Sequence, residues 1–166
     1  MGEVWVESLG AQVRVISMTP GAFVEMMEVL NTAFGTASLT MFFLMGRERG
    51  IHDCEEGREV LRRRGTPYTK RHLLEEISVH SSLLGWGVPK IVKYDEGRGL
   101  VTIRVENNPI ASSCKGPGAP ICYFLRGYWV EVVSEVLEQE VVCEETNCIS
   151  KENLCCEFVI KRGRRR

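Results

Sequence analysis

Long apolar runs are missing from this sequence. The longest strongly apolar stretch, "MFFLM" at 41–45, is far too short to span a bilayer. A secretory start is missing too, since the opening "MGEVWVESLG" carries acidic residues and no apolar core. Its Met-Gly start lacks the Ser or Thr that myristoylation wants, with Val6 in that place. Charge of one sign is absent: 21 Lys and Arg against 22 Asp and Glu leave a net charge of −1, which excludes a globally basic, nucleic-acid-coating protein. No Gly-x-Gly-x-x-Gly follows a strand, so nicotinamide binding of the Rossmann kind has no support. Internal repeats and low-complexity stretches are lacking as well. The seven cysteines are an odd number, which argues against a closed disulfide framework. The expected location is therefore the cytoplasm, where thiols stay reduced.

What is present reads as one domain over residues 1–166. Hydrophobic residues make up 44% and charged residues 26%, ordinary values for a globular chain. "AQVRVISM", 11–18, alternates as a short strand. Thr19 and Pro20 form a helix start signal, and that helix carries Phe23, Met26, Met27 and Leu30. Gly35 ends or bends it. "TASLTMFFLMGRE" reads as a second helix, and a separate polar helix is expected from Glu55 to Arg64. Gly65-Thr66-Pro67 is a boundary, and an amphipathic helix begins at Lys70. "PKIVKYD" and "LVTIRVE" flank "EGRG" as a hairpin, and 107–120 reads as loop. From Ala119 to Gln139 a wide apolar arc marks a buried helix. "EVVCEE" and "CCEFVI" form a second hairpin. This order predicts an α+β fold with helices packed on an antiparallel sheet.

The chemistry concentrates in "CEETNCISKENLCC", residues 143–156. Alternation in the final hairpin places Cys143 and Glu145 on one face and Cys156 on the matching face of the partner strand, with Cys148 in the connection. Glu145, Cys148 and Cys156 can then meet, and Cys122 at the start of the long helix can supply a fourth ligand. Three thiolates and a carboxylate suit zinc better than magnesium or calcium. The spacing is no generic zinc-finger signature, and it leaves a metal site and packed core cysteines both open. Cys143 and Cys155 read as packing residues, and Cys54 and Cys114 as isolated ones.

From about Gly85 to Lys161 the chain resembles the 4-vinyl reductase (V4R) domain, in "PICYFLRGYWVEVV", "VVCEETNC" and "CEFVI". The first half is a weaker match, mainly in "FFLMGRERG". The resemblance implies a TRAPP-subunit-like ligand-binding fold, shared with haem-based nitric oxide sensors, and often a homodimer. In phenol-sensing relatives three cysteines and a glutamate hold zinc, and the spacing agrees at Cys122, Glu145, Cys148 and Cys156. The family usually has a glycine in the turn before its last cysteine, and "ISKENLC" has none.

An apolar pocket is expected from Phe23, Met27, Phe34, Met41, Phe42 and Met45 with Tyr123, Tyr128 and Trp129, although any one of these can equally be core. His72 and His80 read as surface positions, which disfavours haem; His80 and Trp86 are placed near a pocket mouth. The leading expectation is a zinc-stapled, cytoplasmic, homodimeric module binding a small hydrophobic or aromatic molecule as sensor or carrier. An assembly subunit like the vesicle-tethering proteins comes second. An enzyme or accessory protein of tetrapyrrole vinyl reduction comes last, because no catalytic constellation stands out. The basic end, Lys161 to Arg166, reads as solvated surface, with no nucleic-acid role expected.

Overall fold

The structure, a computed structural model, describes residues 4–8, 11–114 and 122–163. Loop residues 115–121 and Arg164–Arg166 of the basic end thus lie outside the described residues. β1 (Val4–Ser8) pairs antiparallel with β2 (Ala11–Val15), so the first strand has a partner that the acidic opening hid. α1 (Pro20–Phe34) starts as expected, with the Thr19 side chain accepting the Ala22 N–H.

One helix, α2 (Ala37–Arg63), replaces the two expected over this stretch. Its buried residues Gly46, Gly50, Asp53, Cys54, Gly57, Val60 and Leu61 keep a single face through the supposed break. Glycine inside a helix costs about 1 kcal/mol. Here it permits a close crossing with α5 (Tyr123–Leu137): a Cβ on Gly46 would strike the Phe124 carbonyl oxygen, and one on Gly127 the Phe43 carbonyl oxygen. The glycines punctuate the interface rather than the helix.

α3 (Lys70–Leu83) leads to β3 (Val88–Asp95) and β4 (Leu100–Glu106). The stretch read as loop contains a short helix, α4 (Pro109–Ser113), begun by Asn108 and Pro109. After α5 come β5 (Val141–Asn147), a 3-10 turn (Ile149–Lys151) and β6 (Cys156–Arg162). The main sheet has the order β3-β4-β6-β5, antiparallel throughout. Val101, Ile103 and Val105 of β4 lie opposite Ile160, Phe158 and Cys156 of β6. All six are buried on the sheet's inner face with Tyr128, Trp129, Val132, Val133 and Val136 of α5 in one core. The fold is α+β, helices on an antiparallel sheet. No helix among the described residues is long and apolar enough to cross a membrane.

Candidate functional site

Cys122 precedes the first turn of α5, Glu145 lies on β5, Cys148 opens the 3-10 turn, and Cys156 begins β6. A register shift between Glu145 and Asn147 gives β5 an extra residue and bends the chain towards Cys148. Ligand atoms of these four side chains lie within 4.8 Å of one another, so the group can hold a metal ion. The thiol separations are 3.6 Å for Cys122–Cys148, 3.7 Å for Cys122–Cys156 and 3.9 Å for Cys148–Cys156. All three cysteines are buried.

Asn108, which sequence reading left in a loop, completes the surroundings. It is fully buried. Its Oδ1 accepts the Ile110 and Ala111 N–H groups at 3.1 and 3.2 Å and so caps α4. Its Nδ2 points at the Cys122 and Cys156 sulfurs at 3.7 and 3.5 Å. The Ile149 N–H donates to the Cys156 sulfur at 3.5 Å, and the Ser150 hydroxyl lies 3.0 Å from the Cys148 sulfur. Donors aimed at sulfur favour thiolates over thiols. The Asn-Pro pair is the helix-start signal that would have drawn attention to it.

Charge in the cluster is frustrated. Hydrogen bonds from Cys122 and Cys156 pull the Cys148 thiol far below its ordinary range, and the bond to Cys148 drives Cys122 up. Burial pushes Glu145 up to about 8, and its Oε1 is buried without a hydrogen-bond partner. An orphaned buried carboxyl oxygen facing three thiols is the donor set a cation would satisfy. The turn closing the cluster manages without glycine: Glu152 adopts φ 64°, and the Asn153 amide bonds the Cys148 and Lys151 carbonyls at 3.1 and 3.3 Å.

A second polar cluster was not anticipated. Asp53 of α2 accepts from the Tyr128 hydroxyl of α5 at 2.7 Å, from Arg49, and faces His80 Nε2 of α3 at 3.2 Å. His80 is 3% exposed, which corrects its reading as a surface position. Its polar neighbours Ser78 and Ser81 are buried with it, so local polarity signalled a buried network rather than solvent. Glu56 comes near enough for these groups to count as a possible cation site, but Asp53 already receives three donors.

The expected pocket residues scatter. Phe23 lines a groove of about 660 Å³ with Ile16, Met18, Leu83, Trp86 and Ile110. Phe42 and Phe124 back it, with ring centroids 6.2 Å from Phe23 and 4.7 Å from Trp86 respectively. Met27 is buried in the core, as are Tyr128 and Trp129, which pack edge to face at 4.9 Å. Tyr123 stacks under the Arg126 guanidinium at 4.7 Å. Phe34, Met41 and Met45 are exposed. Trp86 borders the groove, and its indole N–H is buried without a partner.

Residues 101–162 match the V4R domain. That V4R stretch contains all four members of the cysteine–glutamate cluster and both strands that frame it. Among solved structures, the chain is similar to the phenol-responsive sensory domain of the transcription activator PoxR bound to phenol. That likeness has a TM-score of 0.77 at 17% identity and covers 92% of this chain and 78% of that one. It is also similar to trafficking protein particle complex subunit 3 from Naegleria fowleri, covalently bound to palmitic acid. There the TM-score is 0.61 at 15% identity, over 87% and 95% of the two chains. A vinyl-4-reductase family protein from Methanocaldococcus jannaschii gives 0.58 at 18% identity, over 90% and 85%. These likenesses show a shared fold, the one that V4R proteins and trafficking subunits have in common. No curated protein matches the chain.

Proposed function

We propose that the chain is a zinc-stapled module that binds a small hydrophobic or aromatic molecule and works as a sensor or carrier, in the cytoplasm and as a homodimer. The observation carrying the zinc reading is the thiol triangle. Zinc–sulfur bonds of about 2.3 Å in a tetrahedron put sulfurs about 3.8 Å apart. The three separations here are 3.6, 3.7 and 3.9 Å. Cys122, Glu145, Cys148 and Cys156 would hold the ion, and four protein ligands fit a structural role. Such an ion supplies a cross-link, tying the β5–β6 hairpin to the start of α5. Asn108 and the Ile149 N–H then support the sulfurs from outside the ligand shell.

The ligand reading rests on the groove between β2, α1 and the end of α3. Its aromatic wall, Phe23 and Trp86, suits a flat apolar molecule. The unpartnered Trp86 N–H suits one polar acceptor on it. A phenol-responsive sensory domain with this fold supports the class of ligand. Phenol is the probe of choice. It should raise the melting temperature of the protein saturably, by binding the folded state alone. Trp86→Phe keeps an aromatic ring and removes the donor, and should weaken phenol about tenfold, the loss of one hydrogen bond of about 1–1.5 kcal/mol. A melting temperature indifferent to phenol at millimolar concentration would contradict the ligand reading.

A second reading keeps one observation of its own. Met26 and Val29 of α1 and Met41, Leu44 and Met45 of α2 are exposed on neighbouring helices. That surface supports the homodimer, and equally the assembly-subunit role suggested by the trafficking subunit.

A further inference from the structure

α2 and α3 match every arginine they carry to a carboxylate. Arg47 pairs with Glu131, Arg49 with Asp53, Arg58 with Glu135, Arg62 and Arg63 with Glu59, and Arg71 with Glu75. Arg126, the one arginine of α5, is different. Its guanidinium lies over the rings of Tyr123 at 4.7 Å and Phe43 at 5.4 Å. Its Nε is buried with no hydrogen-bond partner, and no carboxylate among the described residues lies within ion-pair distance. Two aromatic faces hold the cation in a fixed orientation while leaving its donors unused. A guanidinium so placed is preorganised for an anion, because little side-chain freedom remains to be lost.

The space beside it is a groove of about 460 Å³. Arg126, Val130 and Ser134, four residues apart on α5, form one wall. Val141, Val142 and Cys143 of β5, the outer strand of the main sheet, form the other. From Arg126 to Ser134 the groove runs about 12 Å, eight helical residues at about 1.5 Å each. Of the two acidic residues along it, Glu131 is already engaged by Arg47 at 2.5 Å. Glu140 follows the end of α5, at the opposite end from Arg126. The groove therefore has the Arg126 cation at one end and the Glu140 acid at the other, with Val130, Val141, Cys143 and the neutralised Arg47–Glu131 pair between them.

We infer that this groove is a second binding site, separate from the Trp86 groove, for a small organic anion: a carboxylate on Arg126 with an apolar body lying along Val130, Val141 and Cys143. Glu140 sets the direction by repelling a carboxylate from its end. Arginine is the side chain whose planar fork matches a carboxylate with two parallel hydrogen bonds. A neutral or cationic molecule of the same shape would leave the Arg126 donors unmet.

Octanoate, titrated into isotopically labelled protein and followed by amide NMR and calorimetry, tests the site. The expected result is one octanoate per chain, with shifts at Val130 and at Val141 to Cys143, while octylamine leaves those amides unmoved. Arg126→Gln should weaken octanoate at least about tenfold, the loss of a charge-assisted bond. Glu140→Lys, at an exposed position at the other end of the groove, should strengthen it by replacing the repelling charge, and serves if the Arg126 variant does not fold. Equal binding of octylamine, unchanged affinity in a folded Arg126→Gln or in Glu140→Lys, or shifts confined to residues around Trp86 would each overturn the assignment.

Discussion

If Cys122, Glu145, Cys148 and Cys156 hold zinc as proposed, Cys148→Ser is expected to lower the melting temperature by at least about 8 °C. A structural zinc contributes an apparent 10–16 kcal/mol or so in small domains, nearly all of it folding free energy. A total stability of about 5–15 kcal/mol is typical for a domain. Losing even about 4 kcal/mol shifts the midpoint by roughly 8–16 °C in a chain of this size, at about 2–4 °C per kcal/mol. Cys148 is the link between β5 and the 3-10 turn, and its sulfur touches both other thiols. Cys155 is half-buried on the other face of the hairpin and outside the cluster, so Cys155→Ser should leave the midpoint within about 2 °C, as a substitution away from such features does. Circular dichroism of both variants, with and without chelator, separates the cases. The chelator should lower wild type towards Cys148→Ser and leave Cys148→Ser itself unchanged.

Asp53→Ala costs about 3–5 kcal/mol, the usual loss when one member of a buried charged network is removed. Asp53 is fully buried and joins three helices through Tyr128, His80 and Arg49. Burial opposes its charge, yet the hydrogen bonds from His80, Arg49 and Tyr128 outweigh that and hold the carboxyl below the ordinary carboxylate range. A folded-state pKa below the unfolded value of about 3.9 stabilises the fold fully above that pH. The contribution disappears as pH falls through the folded value. Asp53→Asn keeps the shape and removes the titration. Urea unfolding at pH 7 and pH 3 should show wild type losing more stability on acidification than Asp53→Asn. Equal losses in the two proteins would mean that Asp53 is not charged in the fold.

Alternation along "EVVCEE" and "CCEFVI" was enough to place Cys143, Glu145 and Cys156 on their faces, because a strand's side-chain period is two whatever it packs against. The buried arc of α5 was legible for a similar reason: its apolar side chains recur over more than half of the helix circumference. Where the reading failed, the partner was far along the chain. The stretch from Gly50 to Glu55 looks like a gap between two helices until α5 is laid across Gly46 and Gly50. His80 looks solvated until Asp53, 27 residues earlier, is brought beside it. Asn108 looks like part of a proline-rich loop until its amide meets two sulfurs, 14 and 48 residues on. The groove at Trp86 depends on β2, α1, α3 and α4 together, and no single stretch of sequence encodes it.

Native mass spectrometry of untagged protein, purified without added metal or chelator, tests the central claim most directly. The account predicts one zinc per chain, released together with the loss of stability when Cys122, Cys148 or Cys156 is replaced by serine. A fully folded protein that carries no metal, and whose stability is indifferent to chelator and to those substitutions, would contradict it and leave the thiol cluster as core packing.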